Sequence, residues 1–305
     1  MEITLLKNDR IDRDKYDQCI SRSPYGTVYA LSWYLDVVAP DWQLLLAGDY
    51  EYVMPLPVKY KLKKLSYVIQ PSLCQQLGLF SDKKIDEETM SAFIRQIRCP
   101  YILLQLNPGN LFPHRNIKTR PNYLLRLDKP YEEIRKGYRS NTRRELKDMD
   151  RFGLSYEKDT DMHTFLDLVE TNSEYYGDGI FPVLKSLAMA AVAQSSALFR
   201  LVRKTDSKEL LAGVFFLRYK NRYYYLSPVS TRNGKHYRAM RFLLDRFIEE
   251  HANTSCLLDF EGSTISSVAR FYESFGSTFE TYPRYFFSCF PWVSKLKKLT
   301  LRSIF

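Results

Sequence analysis

Leu257-Leu258-Asp259-Phe260-Glu261-Gly262-Ser263, followed by Val268-Ala269-Arg270-Phe271-Tyr272-Glu273-Ser274-Phe275-Gly276, is the stretch on which the fold turns. Cys256–Phe260 reads as a short apolar strand. The helix Thr264–Phe275 after it is opened by Ser263, a favoured N-cap, and closed by Gly276, the residue favoured just past a helix end. Upstream, Tyr237, Met240, Leu244, Phe247 and His251 recur at three- and four-residue steps, so the segment Lys235–His251 is predicted as a helix with one core-directed face.

Working outward, the second half reads as strand Leu154–Glu157, helices Met162–Tyr176 and Val183–Gln194, and strands Leu198–Lys204, Leu211–Arg218 and Tyr223–Val229. The helix, strand and helix above follow, and the strand Phe279–Phe287 ends the half. The first half reads as strand Glu2–Lys7, helices Asp12–Ile20 and Ser32–Val38, and strands Gln43–Ala47, Tyr52–Lys59 and Leu65–Gln70. Helix Asp86–Ile97 and strands Tyr101–Leu106 and Tyr123–Leu127 complete it. Both halves therefore run strand, two helices, three strands, helix, strand. The expectation is a duplicated α/β protein (α+β, mixed sheet). It has an N-terminal domain at 1–128, a basic helical connector at 129–152, a C-terminal domain at 153–290 and a basic amphipathic tail at 291–305.

The 305 residues are 45% hydrophobic, with Tyr 23 and Phe 19, enough apolar area for sizeable cores and too much for a disordered chain. Cys19, Cys74, Cys99, Cys256 and Cys289 form no close pair, so neither a zinc knuckle nor a redox CxxC is written here, and no metal is expected. The first ten residues lack an apolar signal core. The longest apolar run, Leu210–Leu217, falls far short of the roughly 18 residues a membrane span needs. A cytoplasmic protein is expected.

Lys plus Arg outnumber Asp plus Glu by 45 to 35, a net charge of +10. Arg135, Lys136, Arg139, Arg143, Arg144, Lys147 and Arg151 concentrate part of that excess, and Lys295, Lys297, Lys298 and Arg302 another part. Polyanions are the natural partners of such runs, although a charged run also serves simply as a solvated helix face. With Trp292, Leu296, Leu299 and Phe305, residues 292–305 form either a peripheral membrane contact or an amphipathic helix docked on its own domain.

The order of elements, the F-Y-x-x-F-G helix Phe271–Gly276 and the strand before it resemble the GNAT acyltransferase fold. The tandem arrangement, with Tyr138-Arg139-Ser140-Asn141-Thr142-Arg143-Arg144-Glu145-Leu146-Lys147 opening the second copy, is similar to the Fem-type branch, which includes peptidoglycan aminoacyltransferases. Pro71-Ser72-Leu73-Cys74-Gln75-Gln76-Leu77-Gly78-Leu79-Phe80 in the first copy resembles the same branch. The resemblance implies two tandem GNAT-like domains, with the C-terminal copy catalytic and the N-terminal copy shaping an acceptor groove.

It also implies a donor phosphate site between the strand Tyr223–Val229 and the next helix. Here that turn carries Arg232, Asn233, Gly234, Lys235, His236, Tyr237 and Arg238, with one glycine and a bulky His236 where a second small residue is usual. Charge and helix-terminal amides can still hold a phosphate, but the close approach of paired glycines is lost. Splayed strands Tyr223–Val229 and Cys256–Phe260 would present a backbone donor to the acyl carbonyl. Pro228 has no N–H, which leaves that task to Ser227 or Val229.

Tyr272 matches the position of a general acid in the resemblance, and is equally a core aromatic beside Phe271. Asp259 and Glu261 would share one side of a regular strand. There they could orient and deprotonate an amine, or one could cap the next helix. Tyr223-Tyr224-Tyr225 and Tyr175-Tyr176 could line an acceptor groove or simply pack.

The expected function is N-acyl transfer from acetyl-CoA or another acyl-CoA to an amine on a small molecule or peptide. One alternative is an aminoacyl-tRNA-dependent aminoacyltransferase acting on a peptidoglycan-precursor peptide, with tRNA held through 135–151. The other is a non-catalytic GNAT-like protein that binds polyanions or a membrane surface.

Overall fold

The computed structural model describes residues 1–61, 65–158, 161–172 and 179–290. It divides into two compact units: Met1–Arg120 joined by the segment from Thr281, and Pro121–Glu280. Both are mixed α/β. Tyr175, Tyr176 and the tail 291–305 lie outside the described residues.

In the first unit, β1 (Thr4–Leu6), β2 (Gln43–Ala47) and β3 (Tyr52–Leu56) form a small antiparallel sheet. Helix α1 (Arg13–Arg22) starts where the Asp12 carboxylate accepts the Lys15 amide, and α2 (Ser32–Val38) follows. The strand predicted over Tyr52–Lys59 breaks at Pro57, which has no amide to continue a ladder. Past the break, β4 (Val58–Lys61) pairs with β5 (Leu65–Ile69) in a second sheet. Helix α3 (Glu87–Gln96), capped by Asp86, leads to β6 (Tyr101–Gln105), which lies parallel to β5. Strand β7 (Ile117–Arg126) begins in this unit and ends in the second.

The last strand among the described residues, β13 (Thr278–Ser288), pairs antiparallel with β6, from Arg284↔Gln105 to Ser288↔Tyr101. The order of elements had given this strand to the second half. Its partners decide otherwise: Tyr285 packs into the core of Phe93, Leu104 and Phe112, and the Tyr282 hydroxyl donates to Gln105 Oε1 at 3.0 Å. The Pro71–Phe80 motif is likewise structural. The Leu79 amide donates to Asn110 Oδ1 at 2.7 Å, and Gly78 (φ +113°) leaves no room beside that oxygen for a Cβ.

The second unit carries β8 (Leu154–Glu157), β9 (Ala197–Lys204), β10 (Leu210–Tyr219), β11 (Arg222–Ser230) and β12 (Leu257–Asp259). Its sheet runs in the order β7-β12-β11-β10-β9-β8. On one face pack α9 (Ala239–His251) and α10 (Ser266–Glu273), with Phe247 stacked on Phe216 and Tyr272 on Phe260. The other face holds α6 (Met162–Asn172), whose Phe165 lies against Phe199 and Phe215, and then α7 (Phe181–Ala193).

Two short helices, α4 (Tyr131–Lys136) and α5 (Ser140–Lys147), make up the basic segment. Ile134, Tyr138, Leu146 and Met149 sink into the second unit's core, so these helices are part of its body. Gly276, at φ +76°, brings the end of the F-Y-x-x-F-G helix against the Gly137 backbone, and Tyr138 meets Phe275 edge-on at 5.3 Å. That part of the motif is a packing device.

Candidate active site

β11 and β12 are parallel partners for only three pairs, ending at Tyr224↔Asp259. Beyond this point β11 runs on to Ser230, while β12 stops. Glu261 and Gly262 both take left-handed conformations, φ +61° and +55°, and turn the chain away. Gly262 is required there, because a Cβ would come within 2.0 Å of the Pro121 carbonyl oxygen. At the same level β11 carries a bulge: Phe216 faces Tyr225 and Phe215 faces Ser227, so Leu226 is the extra residue.

The strands therefore part, and the opening is a pocket of about 370 Å³. Pro228, Val229 and Ser230 of β11 form one wall, and Val268, Phe271 and Tyr272 of α10 the other, with Lys235 and Met240 nearby.

Thr231 fixes the phase of the β11 ladder, since its amide donates to Leu211 O at 2.9 Å. The alternation of antiparallel bonding then turns the amides of Val229 and Ser227 toward β10 as well. The expected donor at Ser227 or Val229 thus faces away from the opening. The position that turns an amide to the open side, next to Pro228, is Ser230.

The predicted helix Lys235–His251 is broken. Residues Arg232–His236 form a short helix, α8, and Arg238, left-handed at φ +56°, separates it from α9. Gly234 is buried against β10, where a Cβ would meet Leu211 O at 1.9 Å. Packing of α8 on the sheet accounts for this glycine without any phosphate. Arg232, Lys235 and His236 are exposed. Asn233 donates to Glu209 at 2.7 Å, Arg238 is paired with Glu145 at 3.4 Å, and Tyr237 packs on Phe152. Of the residues expected to hold a donor, Val229 and Lys235 line the opening.

Tyr272 joins both of its expected descriptions. Its ring is buried, stacked on Phe260 at 5.0 Å and edge-on to Tyr225 at 6.0 Å, and it also lines the opening. Asp259 sits on the opposite face of the sheet from Phe260, as strand alternation requires. It is 1% exposed, 3.3 Å from Arg222 Nη1, and accepts the Glu261 amide at 2.9 Å. Burial pushes its carboxyl up, and Arg222 opposes this. Glu261 does not share its side, because the strand ends before it. Tyr223, Tyr224 and Tyr225 are all buried in packing contacts.

The family pattern of the acetyltransferase (GNAT) domain matches residues 136–262. That stretch is similar to a GNAT domain. FemX superposes with a TM-score of 0.65 at 13% identity, covering 97% of this chain and 99% of its own. L-PGS from Bacillus licheniformis gives 0.55 at 10% identity, with 94% and 95% covered. A tandem GNAT protein from the clavulanic acid biosynthesis pathway gives 0.53 at 10%, with 93% and 97% covered. At these identities the likeness is one of fold. No curated protein matches the chain in sequence.

Two residues of the second unit escaped the sequence reading. Glu280 lies within electrostatic range of Arg222 and Asp259. Burial raises its carboxyl, and its Oε2 is buried without a hydrogen-bond partner. Its only sequence signal is its place in the alternation of β13. Glu145 holds both Arg238 and Arg241 (2.8 Å), tying α5 to the start of α9. No local pattern announces that contact. Among the described residues no group of three or more His, Cys, Asp or Glu could hold a metal, and no helix is long and apolar enough to cross a membrane.

Proposed function

We propose that the protein is an N-acyltransferase that moves an acyl group from acyl-CoA to an amine, using the opening between β11 and β12. The observation that carries this is the parting of two parallel strands beside a buried, pocket-lining phenol. It sets the Ser230 main chain on one side and a proton donor on the other.

The residues fit an acyl-CoA in part. Lys235 and the first turn of α9, whose Met240 lines the opening, supply positive charge and helix-terminal amides for phosphate. The close glycine approach is absent, since Gly234 is committed to Leu211. The Ser230 amide is placed to donate to the acyl oxygen as negative charge develops there. As the amine nitrogen bonds to the acyl carbon and the carbon–sulfur bond breaks, the Tyr272 hydroxyl gives its proton to the departing thiolate. On the far face, Asp259 and Glu280 orient the amine and take the proton it sheds. Their raised carboxyls bring them nearer the working pH of a base.

Calorimetric titration with acetyl-CoA tests the reading. Wild type is expected to bind, and Lys235→Glu to bind about tenfold more weakly from the lost charge. Absence of binding at millimolar acetyl-CoA overturns it, and aminoacyl-tRNA becomes the donor to examine.

A further inference from the structure

A second concavity of the same unit shares none of its lining residues with the acyl-transfer opening. It is about 570 Å³, set between α4 and α5, and is lined by Arg135, Lys136, Arg143, Arg144 and Lys147 together with Ser140 and Glu132. None of the five cations has an ion pair among the described residues. Five uncompensated cations around one hollow repel each other, a cost that a bound anion would remove.

The hollow is built rather than incidental. The Arg143 guanidinium is fastened by the carbonyls of Lys136 (3.0 Å) and Tyr138, which holds it between the two helices. Arg135 lies over the Tyr131 ring at 5.9 Å, and its Nε is buried with no hydrogen-bond partner. The helices are themselves pinned. Tyr131 donates to the buried Asp245 at 2.9 Å, Arg139 pairs with Glu273 at 2.5 Å, and Arg241 donates to Thr142 at 3.0 Å. On α5, Ser140, Arg143, Arg144 and Lys147 fall at i, i+3, i+4 and i+7, one continuous face.

We propose that this hollow is a second binding site, taking a small ligand that bears two or more phosphate groups. Guanidinium forks suit phosphate oxygens, and the volume is that of a compact molecule rather than a lone ion. Glu132 in the lining and Glu133 beside it at the start of α4 bound the positive patch, which disfavours a long polyanion tracking across it. The phosphates belong either to a free metabolite or to a lipid headgroup.

Titration with inorganic pyrophosphate, sedimentation with phosphatidylcholine vesicles with and without phosphatidic acid, and titration with an RNA hairpin test the site on the full chain. Arg144→Glu/Lys147→Glu changes two exposed side chains and is expected to weaken pyrophosphate binding more than about tenfold, with acetyl-CoA binding unchanged. Variant-sensitive binding of pyrophosphate alone assigns a soluble ligand. Variant-sensitive capture by the phosphatidic acid vesicles assigns a headgroup. The proposal is overturned if neither probe binds, if the variant binds as wild type does, if only RNA binds, or if the variant loses acetyl-CoA equally. The last result would make the hollow part of the donor site. Should wild type fail to bind acetyl-CoA, the donor reading falls while the pyrophosphate comparison still decides this one. Circular dichroism of the variant guards against misfolding, and Arg144→Gln/Lys147→Gln, which removes charge without reversing it, is expected to give a smaller loss in the same direction.

Discussion

Gly234→Ala separates packing from phosphate binding at the turn after β11. Helix propensity alone favours alanine by about 1 kcal/mol in a helix interior. Geometry points the other way, because the new Cβ would sit 1.9 Å from Leu211 O, about 1.5 Å inside ordinary contact at 3.4 Å. The obstructing atom is backbone within a central strand, so α8 itself has to move. That movement strains the Thr231 amide bond to Leu211 and the Gly234 amide bond to Thr231 Oγ1, both 2.9 Å. Overpacking of this kind costs about 1–3 kcal/mol, enough to outweigh propensity. Urea denaturation is expected to give a net loss of up to about 2 kcal/mol with an unchanged slope, and Lys235, displaced with α8, should bind acetyl-CoA more weakly. An alanine variant as stable as wild type, or more stable, that nevertheless loses donor binding would refute the packing argument and restore the glycine to a phosphate cradle.

Tyr272→Phe keeps the ring stacked on Phe260 and removes only the hydroxyl. Thiol release from acetyl-CoA should fall by at least about 10²-fold, with stability changed by less than about 1 kcal/mol; equal rates would return Tyr272 to a purely structural role. Asp245→Ala strands the Tyr131 hydroxyl and leaves Arg246 with Glu249 (2.7 Å) alone, and thermal unfolding should report a loss of about 1–3 kcal/mol. Tyr131→Phe should cost less, about 1 kcal/mol. His251 is held between Tyr223 and Phe247, and burial pushes its imidazole down to about 4, against the pull of Glu250. The unfolded chain therefore takes up a proton first, and stability falls as pH drops from about 6.5 toward 4, by an amount on the order of 3 kcal/mol. His251→Gln should flatten the urea midpoint between pH 7 and 4.5, and a slope identical to wild type would remove His251 as its source.

Periodicity made much of the second unit legible. β8 was read at its observed bounds, and β9, β10 and β11 within one or two residues, because apolar runs bounded by turns leave little choice. What escaped depends on contacts remote in sequence. Arg238 breaks a helix without glycine or proline, and its conformation is accompanied by a partner, Glu145, 93 positions earlier. Gly234 looked like a phosphate residue because its neighbour Leu211 O is supplied by another strand. The ends of β12 mattered most: alternation assumed a regular strand through Glu261, whereas Gly262 pressed on Pro121 ends it at Asp259. That early ending separates the two carboxylates and opens the pocket. Glu280, buried within electrostatic range of Asp259, has no motif of its own.

Amide hydrogen exchange of the full chain with and without acetyl-CoA tests the central claim most directly. Donor bound between β11 and β12 is predicted to protect the amides of Ser230 and of Ala239–Arg241, and to slow exchange across Ser267–Tyr272. Protection confined to the first unit or to α4 and α5, or no protection at saturating acetyl-CoA, would contradict it.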